Sequence, residues 1–211
     1  GAYEVVGTTG GEFMVTGPTI EDPIQPNIPV SREVSSHGSA DVTPLKLHGP
    51  PPVLLYVDRT RKKLWELVLA PDQVAGGREL SMLASHIFGR GVAQFVLQEP
   101  ESLVWFRLDD GALAVGAYQV EHGVNAFTTQ VLPDGWTCES LASAPGADGR
   151  DEVLGVFRRV KGETIQRRLW LLARREVRRF LDAGQFYAGA PVDAVAGLDA
   201  YEGEVLTVMT Q

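Results

Sequence analysis

Apolar and polar positions alternate along this chain in a pattern typical of β-hairpins. Residues 103–118 have the sequence LVWFRLDDGALAVGAY, in which two apolar runs flank Asp109, Asp110 and Gly111. Asp-Gly between such runs is a strong hairpin signal, because glycine adopts the positive φ that a tight turn requires. The pattern therefore predicts two antiparallel strands joined by a primed two-residue turn that contains Gly111.

The hairpin pattern occurs four times at nearly equal spacing. The predicted turn centres follow one another at steps of about 50 residues and are Gly11, Arg61, Gly111 and Gly162. The apolar runs on either side are residues 4–6 and 13–15, 53–57 and 64–69, 103–108 and 112–118, and 153–157 and 164–172. A fixed period of this size is typical of repeat proteins, and a hairpin with further strands is typical of a propeller blade. We therefore predict an all-β fold that forms part of a β-propeller; the alternative is a β-sandwich with evenly spaced hairpins.

Further elements are predicted between the hairpins. Additional strands are expected at residues 42–48, 92–98, 124–132 and 137–144. Residues 18–52 are rich in proline, which lacks a donor for a β-ladder, so this stretch is predicted to be an extended crossing segment. Leu80, Leu83, Ala84 and Ile87 fall at helical spacing and predict a short helix of about two turns.

The chain divides into two predicted regions. Residues 1–173 form the repeat region, with about three to four propeller-like blades, and residues 181–211 form a small C-terminal β module. The chain opens almost directly on one predicted strand and closes on another. We therefore expect it to be a segment of a longer polypeptide.

Composition and charge narrow the classes of function. The chain has 211 residues, of which 44% are hydrophobic, with 23 glycines and 13 prolines, as in a turn-rich β protein. Its net charge of −8 argues against a general nucleic-acid-binding protein, which needs a basic face to neutralise phosphates. The single cysteine, Cys138, rules out an internal disulfide and is predicted to be a small core residue. No membrane anchor is expected, since the sequence has no apolar run of about 18 residues.

Several stretches carry a resemblance to a known family. They are VLLYVDRTRKKLWEL (53–67), LASHIF (83–88), QEPESLVWFRLDDGALAVGAY (98–118), PGADGRDEVLGVFRR (145–159) and GAPVDAVAGLDAYEGEVLTVM (189–209). These stretches resemble the large tail hub or nozzle proteins of short-tailed bacteriophages and related prophages. Residues 70–78 and 119–136 match the family weakly, and the basic run 174–179 stands where a more acidic linker is expected.

The resemblance implies a structural role. Proteins of this family form a ring at the tail tip and extend the channel through which the genome leaves. The chain would then be homo-oligomeric in its full-length form and would contact an adaptor ring and fibres or spikes. Passing DNA would not be bound sequence-specifically, and no cofactor is implied. The expected location is the virion tail, with the host cytoplasm during assembly.

Residues with catalytic or metal-binding chemistry are present without a supporting pattern. The histidines lack the spacing of metal ligands, and the turn Asp148–Glu152 lacks the ligand number of a calcium loop. A glycan-degrading enzyme would need two carboxylates that face each other in a cleft, and the candidates are Asp58, Asp109, Asp110 and Asp151. Turn-forming aspartates already have a local structural reason to lie at hairpin tips. We therefore predict no catalytic, metal-binding or cofactor-binding residues and no enzymatic activity.

Two further hypotheses rest on aromatic and basic side chains. A carbohydrate-binding propeller would expose Trp105, Tyr118 and Trp136 in one pocket. The basic residues at 59–63 are expected to form a solvated hairpin tip. A second basic cluster either protects the outer face of an edge strand or contacts an acidic neighbouring subunit or phosphate, with a protein partner favoured over DNA. Its members are Arg167 and Arg168 and the possible subunit-interaction residues Arg174, Arg175, Arg178 and Arg179.

Overall fold

The protein is all-β, with four small antiparallel sheets, as the sequence predicts. The computed structural model describes residues 3–19, 21–49, 51–70, 74–119, 122–172, 189–190, 192 and 194–198. Most of the predicted C-terminal module therefore lies outside the described residues. So do Arg174, Arg175, Arg178 and Arg179.

Each sheet is built from strands that are consecutive in the chain. The first sheet contains β1 (Glu4–Gly7), β2 (Glu12–Thr16) and β3 (Val30–Ser35), and the second contains β4 (Leu45–Leu47), β5 (Val53–Val57), β6 (Leu64–Leu69) and β7 (Val74–Ala75). The third contains β8 (Val92–Gln98), β9 (Leu103–Leu108), β10 (Leu113–Gln119) and β11 (Val124–Gln130), and the fourth contains β12 (Trp136–Pro145), β13 (Asp151–Lys161) and β14 (Thr164–Leu172). Between the second and third sheets lie a 3₁₀ turn (Met82–Ala84) and the one-turn helix α1 (Ser85–Phe88). Neighbouring strands pair antiparallel in chain order, so every sheet is a meander.

The four predicted hairpins are the pairs β1–β2, β5–β6, β9–β10 and β13–β14. Three strands differ from the prediction, of which the two-residue β7 was not predicted. The proline-rich stretch contains β3, which pairs with β2, and the predicted strand at 42–48 is shortened to β4. Most residues of β3 are exposed, so this edge strand carries no apolar face that a sequence pattern could reveal.

The turn at Gly111 differs from the predicted two-residue turn. The Gly111 N–H donates to the Leu108 carbonyl at 2.9 Å, and the Leu108 N–H donates to the Ala112 carbonyl at 2.9 Å. This is a three-residue loop in which Gly111, at φ +81°, takes the left-handed position. Gly162, at φ +59°, lies in a two-residue loop between the paired Lys161 and Thr164.

Three apolar clusters lie between neighbouring sheets. Met14 packs on the second sheet, the second and third sheets enclose α1, and Trp105 of the third sheet packs on the fourth. Phe88, Phe106 and Phe157 are fully buried. Each such side chain stabilises the fold by about 1.5–3 kcal/mol relative to its exposed state. The sheets therefore pack on one another in the order in which they follow along the sequence.

Gly111→Ala is expected to destabilise the protein by roughly 2–4 kcal/mol. The new Cβ would lie in the left-handed region and only 2.6 Å from the Thr137 Cβ of the fourth sheet. Gly162→Ala is the matched control, because its φ is also positive but its Cβ would meet nothing within 4 Å. Urea unfolding of both variants measures the difference. Equal losses would contradict the close packing of the Gly111 loop on β12.

Candidate functional site

A backbone hydrogen bond joins three of the hairpin loops to the first strand of the next sheet or, for Ser39, to the residues that precede that strand. The donors and acceptors are Ser39 N–H to Thr8 O, Val92 N–H to Arg61 O, and Cys138 N–H to Gly111 O, each at 2.7 Å. Because each bond links one sheet to the next, these three hairpin loops are inter-sheet contacts and not free tips.

Arg61, in the basic cluster predicted at the hairpin tip, takes part in one of these inter-sheet contacts. Arg61 takes a left-handed conformation at φ 64°, and its Nε donates to the Val92 carbonyl at 3.1 Å. Its Nη2 lies 2.6 Å from Asp109 Oδ1 in the third sheet's hairpin loop. Lys63 pairs with Glu79 at 2.8 Å. Part of this cluster therefore fixes neighbouring sheets to one another.

The aspartates considered for catalysis all have structural partners. Asp58 is buried, and its Oδ1 accepts hydrogen bonds from the backbone of the residues that follow it in the turn. Asp109 pairs with Arg61, and Asp110 pairs with Arg90 at 2.5 Å. Asp151 Oδ2 accepts from the Glu99 N–H at 3.0 Å. Each carboxylate therefore contributes to a turn or to a contact between elements.

The aromatic residues considered for carbohydrate binding are core residues. Trp105, Tyr118 and Trp136 are 8%, 3% and 4% exposed. The Trp105 Nε1–H donates to Gln98 Oε1 at 2.8 Å, and Trp136 packs against Trp170 with ring centroids 4.8 Å apart. The three side chains therefore do not line an exposed aromatic pocket.

The described residues give little support for a metal site or for a reactive thiol. Within those residues, no group of three or more histidine, cysteine, aspartate or glutamate side chains could hold a metal ion. His37 instead stacks on Trp65 at 3.7 Å. Cys138 is a buried core residue, as predicted, and burial raises the pKa of its thiol to about 11.

Among the residues that the structure describes, no helix has the length and apolar character needed to cross a membrane.

The fourth sheet carries an exposed apolar surface, which we call the fourth-sheet face. It is formed by alternate residues of β13 and β14 that pair across the two strands. The pairs are Val160 with Ile165, Arg158 with Arg167, Val156 with Leu169, and Leu154 with Leu171. Leu169 is 67% exposed. Arg158 and Arg167 lie in the middle of the face, and Arg167 donates to Glu139 at 2.7 Å.

The first sheet carries a smaller surface of opposite charge, which we call the first-sheet face. One row across the sheet contains Val6, Phe13 and Glu33, and the next contains Glu4 and Val15. Phe13 and Val15 are half-buried, whereas Val6 and both glutamates are exposed. The face therefore combines apolar side chains with two acidic groups.

A cleft of about 330 Å³ lies between the first and second sheets. We call it the Glu12 cleft after the buried carboxyl group among its lining residues. Glu12 Oε1 accepts from the Ser39 hydroxyl at 2.7 Å, and Glu12 Oε2 accepts from the Tyr56 hydroxyl at 3.4 Å. Sequence reasoning did not identify this site. The available signal was a charged residue in phase with Met14 and Thr16 on the buried side of β2.

A second buried carboxyl group lies at the next sheet interface. Glu66 in β6 accepts a hydrogen bond from the Tyr118 hydroxyl of the third sheet. It also pairs with Arg78 Nε at 2.9 Å. Burial and the bond to Glu66 raise the pKa of Tyr118, and burial raises the pKa of Tyr56 to about 12. Both interfaces therefore hold a protonated tyrosine beside a glutamate.

Comparison with known proteins gives no independent identification. No protein-family model matches the chain, and no curated protein shows a significant match. Function must therefore be inferred from the surfaces described above and from the resemblance carried by the sequence.

Protein stability is expected to fall as the pH rises from about 10 to about 12. Tyr56 holds its proton more tightly in the folded state than at the ordinary pKa of 10.0. Its contribution is therefore fully present below that value and is lost as the pH rises through about 12. Tyr56→Phe should flatten this part of the pH profile, measured by thermal unfolding at alkaline pH. A variant profile as steep as that of the wild type would contradict the assignment.

Proposed function

We propose that the chain is a structural part of a phage or prophage tail hub or nozzle and acts by assembly, without catalytic turnover. The four sheets are proposed to be successive blades of a β-propeller. The resemblance of residues 53–67, 98–118 and 145–159 to tail hub and nozzle proteins supports the first statement. The stacking of the sheets in chain order supports the second.

Three features of the sheets support the propeller arrangement. Each sheet is a meander, and the second and third have the four strands typical of a blade. The first strand of one blade contacts the first strand of the next, both for β4 with β8 and for β8 with β12. The loop-to-sheet hydrogen bonds recur at each of the three steps. Inner strands around a common axis would give this set of contacts.

The fourth-sheet face is the observation that carries the assembly role. Leucine and isoleucine side chains are exposed on the last sheet of the stack, whereas the corresponding apolar faces inside the stack are covered. A sheet that is apolar on both faces needs a further layer on each. The face is therefore suited to another β-sheet.

We propose a second copy of the chain as the occupant of the fourth-sheet face, docked through its first-sheet face. This contact would continue the sheet-on-sheet stacking found within the chain. Arg158 and Arg167, which pair with Glu139 in their own sheet, would also face Glu4 and Glu33 of the second copy. The complete protein is accordingly proposed to be a homo-oligomer, with an adaptor ring and fibres or spikes as its other partners. A net charge of −8 suits a conduit, because a negative wall does not retain DNA.

Leu169→Glu is expected to weaken self-association of the purified chain by about tenfold, because it places a charge in the apolar contact. Leu83→Glu is the matched control, since Leu83 is 93% exposed on the 3₁₀ turn, away from both faces. Sedimentation equilibrium of the wild type and both variants measures the effect. The wild-type association is expected to be weak. A strictly monomeric wild type, or equal effects of both substitutions, would exclude the second copy as the occupant.

The tail role itself is tested on particles. Antibodies raised against the purified chain should label the tail tip of virions or induced prophage particles from the bacterium that carries the gene. Portal, capsid and tail genes are expected beside it. Particles that contain no immunoreactive protein would overturn the tail proposal and would leave the docking test unaffected.

A further inference from the structure

The Glu12 cleft contains a buried carboxyl group, and the described residues fill only part of its hydrogen-bonding capacity. Glu12 is 1% exposed, and its hydrogen bonds within the described residues come from the Ser39 and Tyr56 hydroxyls. The bond from Tyr56, at 3.4 Å, is long. A carboxylate offers about four acceptor positions. Acceptor capacity therefore remains at this carboxyl group.

Among the residues that the structure describes, the lining of the cleft contains no positive charge. It consists of Val5, Gly7, Glu12, Ser39, Ala40, Asp41, Val42, Thr43, Pro44, Leu54, Tyr56 and Leu67. Two of these residues are acidic, and none is lysine, arginine or histidine. A buried carboxylate is costly unless it is paired with a cation and hydrogen-bonded. The cleft therefore favours a positively charged occupant.

The next sheet interface shows how this chain completes such a site. Glu66 also lies between two sheets and also accepts a hydrogen bond from a tyrosine, Tyr118. There the Arg78 guanidinium supplies the positive charge at 2.9 Å. At Glu12 the hydroxyl donors are present, but the described lining offers no such cation. The missing component is thus an ammonium or guanidinium group.

We propose that the Glu12 cleft binds an alkylammonium or alkylguanidinium group, with Glu12 as the buried counter-charge. Asp41 is exposed and lines the same cleft, so it adds negative charge. Val5, Leu54 and Leu67 provide apolar walls for an aliphatic stem. The volume of about 330 Å³ lies at the lower end of the range for small-molecule sites. The group comes either from a lysine or arginine side chain of a partner protein or from a free polyamine.

The test compares n-butylammonium and butylguanidinium with the neutral 1-butanol, using NMR chemical-shift titration of the whole chain. Both cations should shift the resonances of cleft residues, and butanol should bind about tenfold more weakly or not at all. Glu12→Gln, which keeps the size of the side chain, should reduce cation binding about tenfold. Glu21→Gln, an exposed change outside the lining of the cleft, is the matched control and should leave binding unchanged.

A second variant covers the case in which Glu12→Gln fails to fold. Asp41→Asn is a surface change, and it should weaken cation binding severalfold while preserving the thermal unfolding transition. Equal affinity for butanol and butylammonium, or full cation binding in both cleft variants, would overturn the proposal. Titration with spermidine and with short lysine-containing peptides then separates the two sources of the group. Tighter binding of a peptide indicates a protein partner, tighter binding of spermidine indicates a polyamine, and binding of neither refutes the site.

Discussion

Backbone hydrogen bonds join three hairpin loops to the first strand of the following sheet or to the residues just before it, and the order of the sheets depends on these contacts. The Val92 N–H donates to the Arg61 carbonyl and the Cys138 N–H donates to the Gly111 carbonyl, each at 2.7 Å. The acceptor residue is left-handed in both cases, at φ 64° and +81°. A change of loop conformation would displace the carbonyl and separate the apolar faces behind it. The long-range packing thus depends on a few backbone angles that glycine or a well-held arginine can adopt.

The hairpins could be predicted because their signals are local. Alternating apolar residues and Asp-Gly lie within a few residues of each other, so β9 and β10 are visible in the sequence. The loop length at Gly111 could not be predicted, because Asp-Gly suits two- and three-residue loops alike. The neighbours of Gly111 outside its own hairpin include Thr137 and Cys138, which lie in another sheet. The strand β3 could not be predicted, because its pairing with β2 contributes backbone hydrogen bonds but buries little apolar surface.

The candidate surfaces were less predictable than the fold because function depends on exposure. Trp105 and Trp136 have the same side chain whether they bind sugar or fill a core, and only the packed sheets show that they are buried. The Glu12 cleft joins residues that are distant in the chain, since Ser39 and Tyr56 reach Glu12 from separate segments. Periodicity does place Glu12 on the buried side of β2. It does not show which groups will meet its carboxyl group.

The two buried glutamates indicate how polar groups are accommodated between the sheets. Each is buried and accepts a hydrogen bond from a tyrosine hydroxyl, which offsets part of the cost of removing the carboxyl group from water. Arg78 makes the second interface complete within the chain, whereas the first interface is open at a cleft. The open side of the first interface is where the proposed cation would reach the Glu12 carboxyl group. Since the Glu12 cleft and the fourth-sheet face lie on different sheets, the proposed cation site and the proposed docking surface do not overlap.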